Sequence, residues 1–323
     1  MSQPVVAEIV RSGVVEGHHY GAVVATRPDG SVDWSVGDVE PMILPRSSNK
    51  PLQGVALVRL GLDLPPELTA LACASHSGEP FHVAAVRRLL AHAGLDESAL
   101  QCPPDLPVDD EDRAAVWRAG GGPERIFMNC SGKHAAMVAT CVLNRWDPST
   151  YLEPQHPLQR AIVATFCELT GEPTVVAVDG CGAPLLGTSL VGLARAFGRV
   201  ARGVDGSGAD HEPASRVAEA IRSHPTMVSG TRRDEAALHA AVPGLLAKGG
   251  AEAVYAAALP DGRAIALKID DGAERARQVV MAAALLRWGV GTEPGVDAEA
   301  LRRTGDVPLL GGGRPVGEVR ALL

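Results

Sequence analysis

The sequence predicts an α+β fold in which one mixed sheet is built from both ends of the chain and a helical region is inserted between them. Three observations carry this. The opening is β-branched and holds a hairpin signal, the middle shows helical periodicity with stop residues, and a second apolar hairpin precedes one long final helix. Strands gathered at the two ends argue against an alternating βαβ series.

In chain order, VVAEIVRSG and HHYGAVVAT read as strands, and PDGSVDWSVGD carries the Asp-Gly turn of a hairpin. Over residues 47–62 the period becomes helical, with Leu52, Val55, Ala56 and Leu60 on one side. LTALACAS reads as a short apolar strand or buried segment leading into SHSGEP. Residues 81–94 predict a helix that Gly94 stops, and the Pro- and Asp-rich residues 101–112 predict a loop. Further helices are expected over residues 133–143, 156–170 and 189–200, and GVDGSGADHEP reads as a surface loop. AEAVYAAALPDGRAIALKIDDG then predicts two strands around Pro-Asp-Gly, and GAERARQVVMAAALLRWG the last helix. No repeat or long linker divides the chain. It is read as a single domain over 1–323, with a sheet region at about 1–45 and 245–323 and a helical region with site loops at about 46–244.

The 323 residues are 46% apolar and 21% charged, which is the composition of a folded globular chain and not of a disordered one. A net charge of −8 disfavours nucleic-acid or anionic-membrane partners, which need a basic face. No apolar run reaches a membrane span, and MSQPVVAEIV lacks the pattern of a signal peptide, so a cytoplasmic location is expected. The six cysteines are then expected as thiols, buried groups or metal ligands.

Four segments could carry chemistry. In PRSSNKP, Ser47 and Lys50 stand three apart at a helix start, which places both on one face. A serine needs a base to become a nucleophile, and a desolvated lysine at a positive helix end can lose its proton. The plainer reading has Ser47 or Ser48 capping the helix and Lys50 in water. CASHSGE joins an apolar run to a helix, as a site loop or a simple turn. NCSGKH lacks the glycine and hydroxyl spacing of a phosphate loop, since Phe127 and His134 stand at those places. Its Cys130 and Lys133 lie one helical turn apart, and Cys181 in VDGCGAP could share a metal with them, although no C-x-x-C pair exists. Finally, Lys248-Gly249-Gly250 reads either as a lysine entering an edge strand or, more simply, as a helix C-cap after VPGLLA.

Taken together, PRSSNKPLQ, CASHSGEPFHV, NCSGKHAAM, VDGCGAP, SGTRRDE, KGGAEAVYAAAL and ALKIDDGAERA make the chain resemble the type II L-asparaginases of the Rhizobium etli kind. That family is related in fold to serine β-lactamases, penicillin-binding proteins and glutaminases. The resemblance covers nearly the whole chain and implies a β-lactamase-like fold and hydrolysis of L-asparagine through a Ser-Lys acyl-enzyme. It implies Ser47 as nucleophile with Lys50 as its base, and Ser75 as a second serine with Lys248 paired to it in space. It implies Cys130, Lys133 and Cys181 as ligands of a Zn²⁺ that assists substrate binding, with Asp179 at the edge of that site. Arg46 and Asp179 are expected to bind substrate, His134 lies beside these positions, and a homodimer is expected. Two choices stay open, Ser75 against Ser77 and Lys248 against Lys268. A glutaminase pocket differs by one methylene. A β-lactamase or transpeptidase should be exported, and a non-enzymatic sensor on the same fold should lose one of the two lysines.

Overall fold

A computed structural model of the chain describes residues 3–323. Its strands are β1 (Val5–Arg11), β2 (Val14–Thr26), β3 (Val32–Val36), β4 (Val176–Val178), β5 (Pro184–Leu186), β6 (Leu246–Gly250), β7 (Val254–Ala258), β8 (Ala264–Ile269), β9 (Pro308–Gly311) and β10 (Arg314–Ala321). Eight of them form one sheet in the order β6-β7-β8-β2-β1-β10-β9, with β3 also on β2, and β4 pairs with β5 alone. The large sheet therefore takes strands from both ends of the chain, as expected. Every pairing in it is antiparallel, so it is mixed in origin and not in strand direction. Short turns such as Pro260-Asp261-Gly262 between β7 and β8 impose this, because hairpins can join antiparallel neighbours alone.

The helical region holds α1 (Lys50–Arg59), α2 (Pro66–Ala72), α3 (Pro80–His92), α4 (Asp110–Arg118), α5 (Ser131–Leu143), α6 (Pro157–Thr170), α7 (Leu190–Arg202), α8 (Glu212–Ser223), α9 (Pro225–Val228) and α10 (Asp234–Ala241). After β8 come α11 (Glu274–Arg287) and α12 (Ala298–Thr304). The sheet separates two cores. Ala22 and Val24 of β2 face the core shared with α1 to α3 and α5 to α9, whereas Val23 and Ala25 face the one shared with α10 to α12. Both faces are thus buried, which explains why AVVAT has no polar alternation.

The two faces differ in bulk. Toward α7 the sheet shows Ala256, Ala258, Ala264 and Ala266, and on the other side Tyr255, Ile265, Leu267 and Ile269. The alanine face admits α7 so closely that a Cβ on Gly198 would collide with the carbonyl oxygen of Gly262.

Two segments differ from the expectation. LTALACAS is mostly helix α2 and not a strand. Its residues are buried on every side among α3, α5 and α8, and an all-round apolar run carries no period to tell helix from strand. Conversely, Leu246–Gly250 is the edge strand β6 and not a helix end, because Ala247 and Lys248 pair with Ala257 and Ala256 of β7. Glycine is required there: a Cβ on Gly250 would strike Pro45 O and come within 2.9 Å of Ser48 Oγ. No described helix is long and apolar enough to cross a membrane.

Replacing Gly198 by alanine should lower stability by about 1–3 kcal/mol through overpacking, despite the better helix propensity of alanine. Gly122→Ala meets open space and should leave the thermal midpoint almost unchanged. Equal midpoints for the two variants would refute the close approach of α7 to the sheet.

Candidate active site

The site grows from a short 3-10 turn, Arg46–Asn49, that runs directly into α1. Pro45 fixes its entry and Pro51 suits the first helical turn, where no amide donor is needed. Arg46 has φ +52°, a left-handed conformation that side chains other than glycine rarely take. The amide of Lys50 donates to Ser47 O, and Ser48 Oγ donates to Lys248 O at 3.0 Å. The turn is therefore pinned against β6. Ser47 is half-buried, while Ser48, Asn49 and Lys50 are buried.

Lys50 is 1% exposed. Its Nζ donates to Ala74 O at 2.7 Å, Ser75 Oγ at 2.9 Å and Cys130 Sγ at 2.9 Å. The loop that brings Ser75 there is tied down by its backbone: Ser75 N–H donates to Val228 O, His76 N–H to Asn129 O and Ser77 N–H to Ser229 O. Ser77 turns away, donating through Oγ to Glu79 at 2.7 Å, and the same carboxylate accepts from Thr231 N–H and Oγ1. Geometry thus separates the two candidates: Ser75 meets a lysine, and Ser77 satisfies a buried acid.

Lys248 is also 1% exposed. Its Nζ donates to Glu235 Oε1 at 2.7 Å and Gly249 O at 2.8 Å, and Glu235 further accepts the Gly249 amide at 2.5 Å. Burial pushes the Lys248 ammonium down and Glu235 opposes this. Burial would raise Glu235, but Lys248, Arg233 and Arg277 hold its carboxyl below the usual range. Lys268 instead lies half-buried on β8 and donates to Glu252 O and Ile269 O. Of the two lysines, Lys248 is the one whose backbone meets the Ser47 turn, through Ser48 Oγ. The hydrogen bonds put Ser75 on Lys50, and Lys248 on Glu235.

A third group sits beside Lys50. Cys130 precedes α5, Lys133 and His134 lie in its first turn, and the hairpin between β4 and β5 carries Asp179 and Cys181. Lys133 Nζ donates to Cys181 Sγ at 3.1 Å, and both are buried. A hydrogen bond from Cys181, then Lys50 and Lys133, hold the Cys130 thiol well below its ordinary value, and the same contact raises Cys181. Burial disfavours the Lys133 ammonium, but the two sulfurs outweigh it and raise its pKa. Arg46 Nε pairs with Asp179 Oδ1 at 2.8 Å at the half-open rim.

The residues present suit a soft metal ion in their donor types. Two adjacent sulfurs and one amine converge, and His134 Nε2 is buried without a hydrogen-bond partner beside Cys181. Burial and Lys133 keep His134 neutral, down at about 4. Among the described residues no three His, Cys, Asp or Glu side chains gather as a metal cluster, so Lys133 would be the third donor.

The model of the family described as L-asparaginase II matches residues 7–321. The chain belongs to the L-asparaginase II family. No curated protein matches it significantly. Among solved structures it is similar to a β-lactamase from Mycobacterium bovis (15% identity, TM-score 0.46), covering 88% of this chain and 96% of that one. It is similar to Mglu in its tris and glutamate form (15% identity, TM-score 0.48), covering 89% of this chain and 63% of that one. It is also similar to a Bacillus glutaminase (11% identity, TM-score 0.37), covering 84% and 91%.

For this member of the asparaginase family, the residue that sequence reasoning missed is Glu235. SGTRRDE is part of the family resemblance, but an acid beside two arginines reads as a solvated charge. The usable signal was Lys248 itself, since an ammonium in an apolar strand needs a buried counter-charge.

Lys248→Met alone should destabilise the protein by roughly 3 kcal/mol, because it removes the direct counter-ion of the buried Glu235 and leaves it the Gly249 amide and the more distant charges of Arg233 and Arg277. The double variant Glu235→Gln/Lys248→Met should recover much of that in urea unfolding. Additive losses would show that the pair is not coupled.

Proposed function

We propose that the chain hydrolyses the side-chain amide of L-asparagine to L-aspartate and ammonia through an acyl-enzyme on Ser47. Membership of the L-asparaginase II family supports an amidohydrolase of this type. The observation that carries the reading is the buried Lys50 amine, 2.9 Å from Ser75 Oγ, under the strained turn that presents Ser47. Strained backbone gathers at functional sites because it must be held in place by its surroundings.

In the proposed reaction Ser47 Oγ attacks the amide carbon and its proton passes to Lys50 as a neutral amine. A neutral lysine has a lone pair and two N–H donors, so it can receive that proton by giving up its contact with Cys130 Sγ while still bonded to Ala74 O and Ser75 Oγ. Collapse of the tetrahedral intermediate breaks the C–N bond. The proton returns through Lys50 and Ser75 to the departing nitrogen, and ammonia leaves. Water then cleaves the aspartyl ester by the same relay. Arg46 and Asp179 stand at the rim with opposite charges, which suits the α-carboxylate and α-ammonium of a zwitterionic amino acid. Lys248, paired with Glu235, anchors β6 beside the turn as a buried ion pair.

Cys130, Lys133 and Cys181, with His134 Nε2 beside them, would hold a Zn²⁺. Such an ion supplies a fixed charge that orders the pocket and orients substrate, and a lysine ligand must lose its proton to bind it. A homodimer is part of the same reading.

One observation favours a second assignment of roles. Ser75, and not Ser47, is the hydroxyl that Lys50 contacts, so Ser75 could be the nucleophile. Trapping the acyl-enzyme with labelled asparagine and locating it by mass spectrometry separates the two.

Ser47→Ala should abolish ammonia release from asparagine while leaving the unfolding midpoint unchanged, whereas Ser75→Ala should retain slow acylation. Lys50→Arg should be nearly as damaging as Lys50→Ala, since a guanidinium stays protonated. An active Ser47→Ala variant with label on Ser75 would overturn the first reading in favour of the second. Measuring release from glutamine in the same assay sets the substrate preference.

Purified protein should contain one zinc per chain, and the Cys130→Ser/Cys181→Ser variant none. Stripping the metal should mainly raise KM. A fall in kcat of roughly a thousandfold with KM unchanged would make the metal catalytic instead.

A further inference from the structure

Away from this site, three arginines of α7 converge on one cavity. Arg195, Arg199 and Arg202 follow a spacing that keeps them on one side of the helix. Arg27, just after β2, joins them from the β2–β3 turn, and the four line a cavity of about 240 Å³ whose wall also includes Asp29.

Their existing bonds leave most of the guanidinium donors free. Arg195 gives Nη1 to Thr170 O at 2.7 Å. Arg199 gives Nη1 to Glu168 O at 3.0 Å and Leu169 O at 2.7 Å. Arg202 gives Nη1 to Pro28 O at 3.1 Å. Arg27 donates to Val32 O and pairs with Asp33. Capping the carbonyls at the end of α6 accounts for some of these contacts, but each guanidinium carries five N–H donors.

The carboxylates nearby are committed elsewhere. Glu168 holds Arg59 through both oxygens, at 2.6 and 2.9 Å. Glu172 accepts from Thr188 Oγ1 and from Ser189 N–H and Oγ, and lies 3.9 Å from Arg195. Asp205 accepts from Ser207 and Ala209 in its own loop, and Asp29 accepts from Ser31. Arg199 and Arg202 make no ion pair among the described residues. Two half-buried arginines, Arg195 and Arg199, therefore face each other with weak neutralisation.

We propose that this cavity binds a small phosphate-bearing anion. A planar carboxylate presents two oxygens and suits one guanidinium fork. A tetrahedral phosphate presents three and can accept from forks arriving on different segments, as they do here. The whole chain is acidic, so the attraction is local to this cavity, and its volume suits a small molecule and not a polymer. None of the four arginines belongs to the proposed active site, so the inference stands apart from the asparaginase reading.

Calorimetric titration of the full chain at fixed ionic strength tests it, with inorganic phosphate, pyrophosphate and L-aspartate as probes. Pyrophosphate should bind saturably with one site per chain, more tightly than phosphate, while aspartate binds weakly at this site. Arg199→Lys keeps the charge but loses the fork, and Arg202→Gln alters an exposed side chain. Each should weaken pyrophosphate at least about tenfold, with asparagine turnover in the absence of the anion unchanged. No saturable heat with either phosphate probe, or undiminished affinity in both variants, overturns the site. Aspartate binding as tight as pyrophosphate, lost in the same variants, overturns the phosphate assignment.

Discussion

Three lysine ammonium groups are buried in this molecule, and the arrangement of the site follows from neutralising them. Lys50, Lys133 and Lys248 are each at most 2% exposed. An isolated buried ammonium is too costly to keep, so each needs a partner that other elements deliver. Lys50 receives Ala74 O, Ser75 and Cys130, Lys133 receives Cys181, and Lys248 receives Glu235. These partners come from the α2–α3 loop, the start of α5, the β4–β5 hairpin and the start of α10. Apolar packing brings those four segments together, and the three ammonium groups take their partners where they meet.

The partners are chemically unequal, and this separates the lysines by role. Lys248 faces a carboxylate whose own charge is held by Arg233 and Arg277. Lys133 faces sulfurs, which suit either an ammonium or a metal. Lys50 alone contacts a serine hydroxyl, together with a carbonyl and a thiol. The proposed base must face a hydroxyl, and among the three lysines Lys50 is the one that contacts a hydroxyl oxygen.

Much of this was legible in the residues. The β2–β3 and β7–β8 hairpins and the long helix α11 stand out because period, β-branching and Asp-Gly turns agree, whereas α12 and the closing β9–β10 hairpin went unread. Ser47 and Lys50 were visible as a spacing, Cys130 and Lys133 as another. α2 was not legible, because burial on every side removed its helical period. β6 was obscured by Gly249 and Gly250, which read as a helix stop, but Gly250 serves the close approach of β6 to Pro45 and Ser48, and Gly249 leaves room for Arg277 and Glu235. Glu235 was hidden because the burial of an acid depends on where a lysine 13 residues later places its ammonium. The contact of Ser75 with Lys50, in place of Lys248, is likewise a matter of three-dimensional reach that no spacing encodes.

The strain at Arg46 connects fold and chemistry. A left-handed residue before a helix start would relax if its neighbours allowed it. Here Ser48 is bonded to the backbone of β6, Gly250 leaves no room for the turn to move, and Arg46 itself is anchored to Asp179. The same contacts that hold the strained residue also hold the turn that carries Ser47 against β6. Asp179 lies two residues from Cys181, so the hairpin that anchors Arg46 also gives Lys133 its hydrogen-bond acceptor. Any movement of that hairpin, by loss of the Cys181 thiol, would therefore reach the serine turn through Arg46 as well as the lysine. The charged pair at the rim and the order of the buried cluster are thus mechanically one property of this short hairpin.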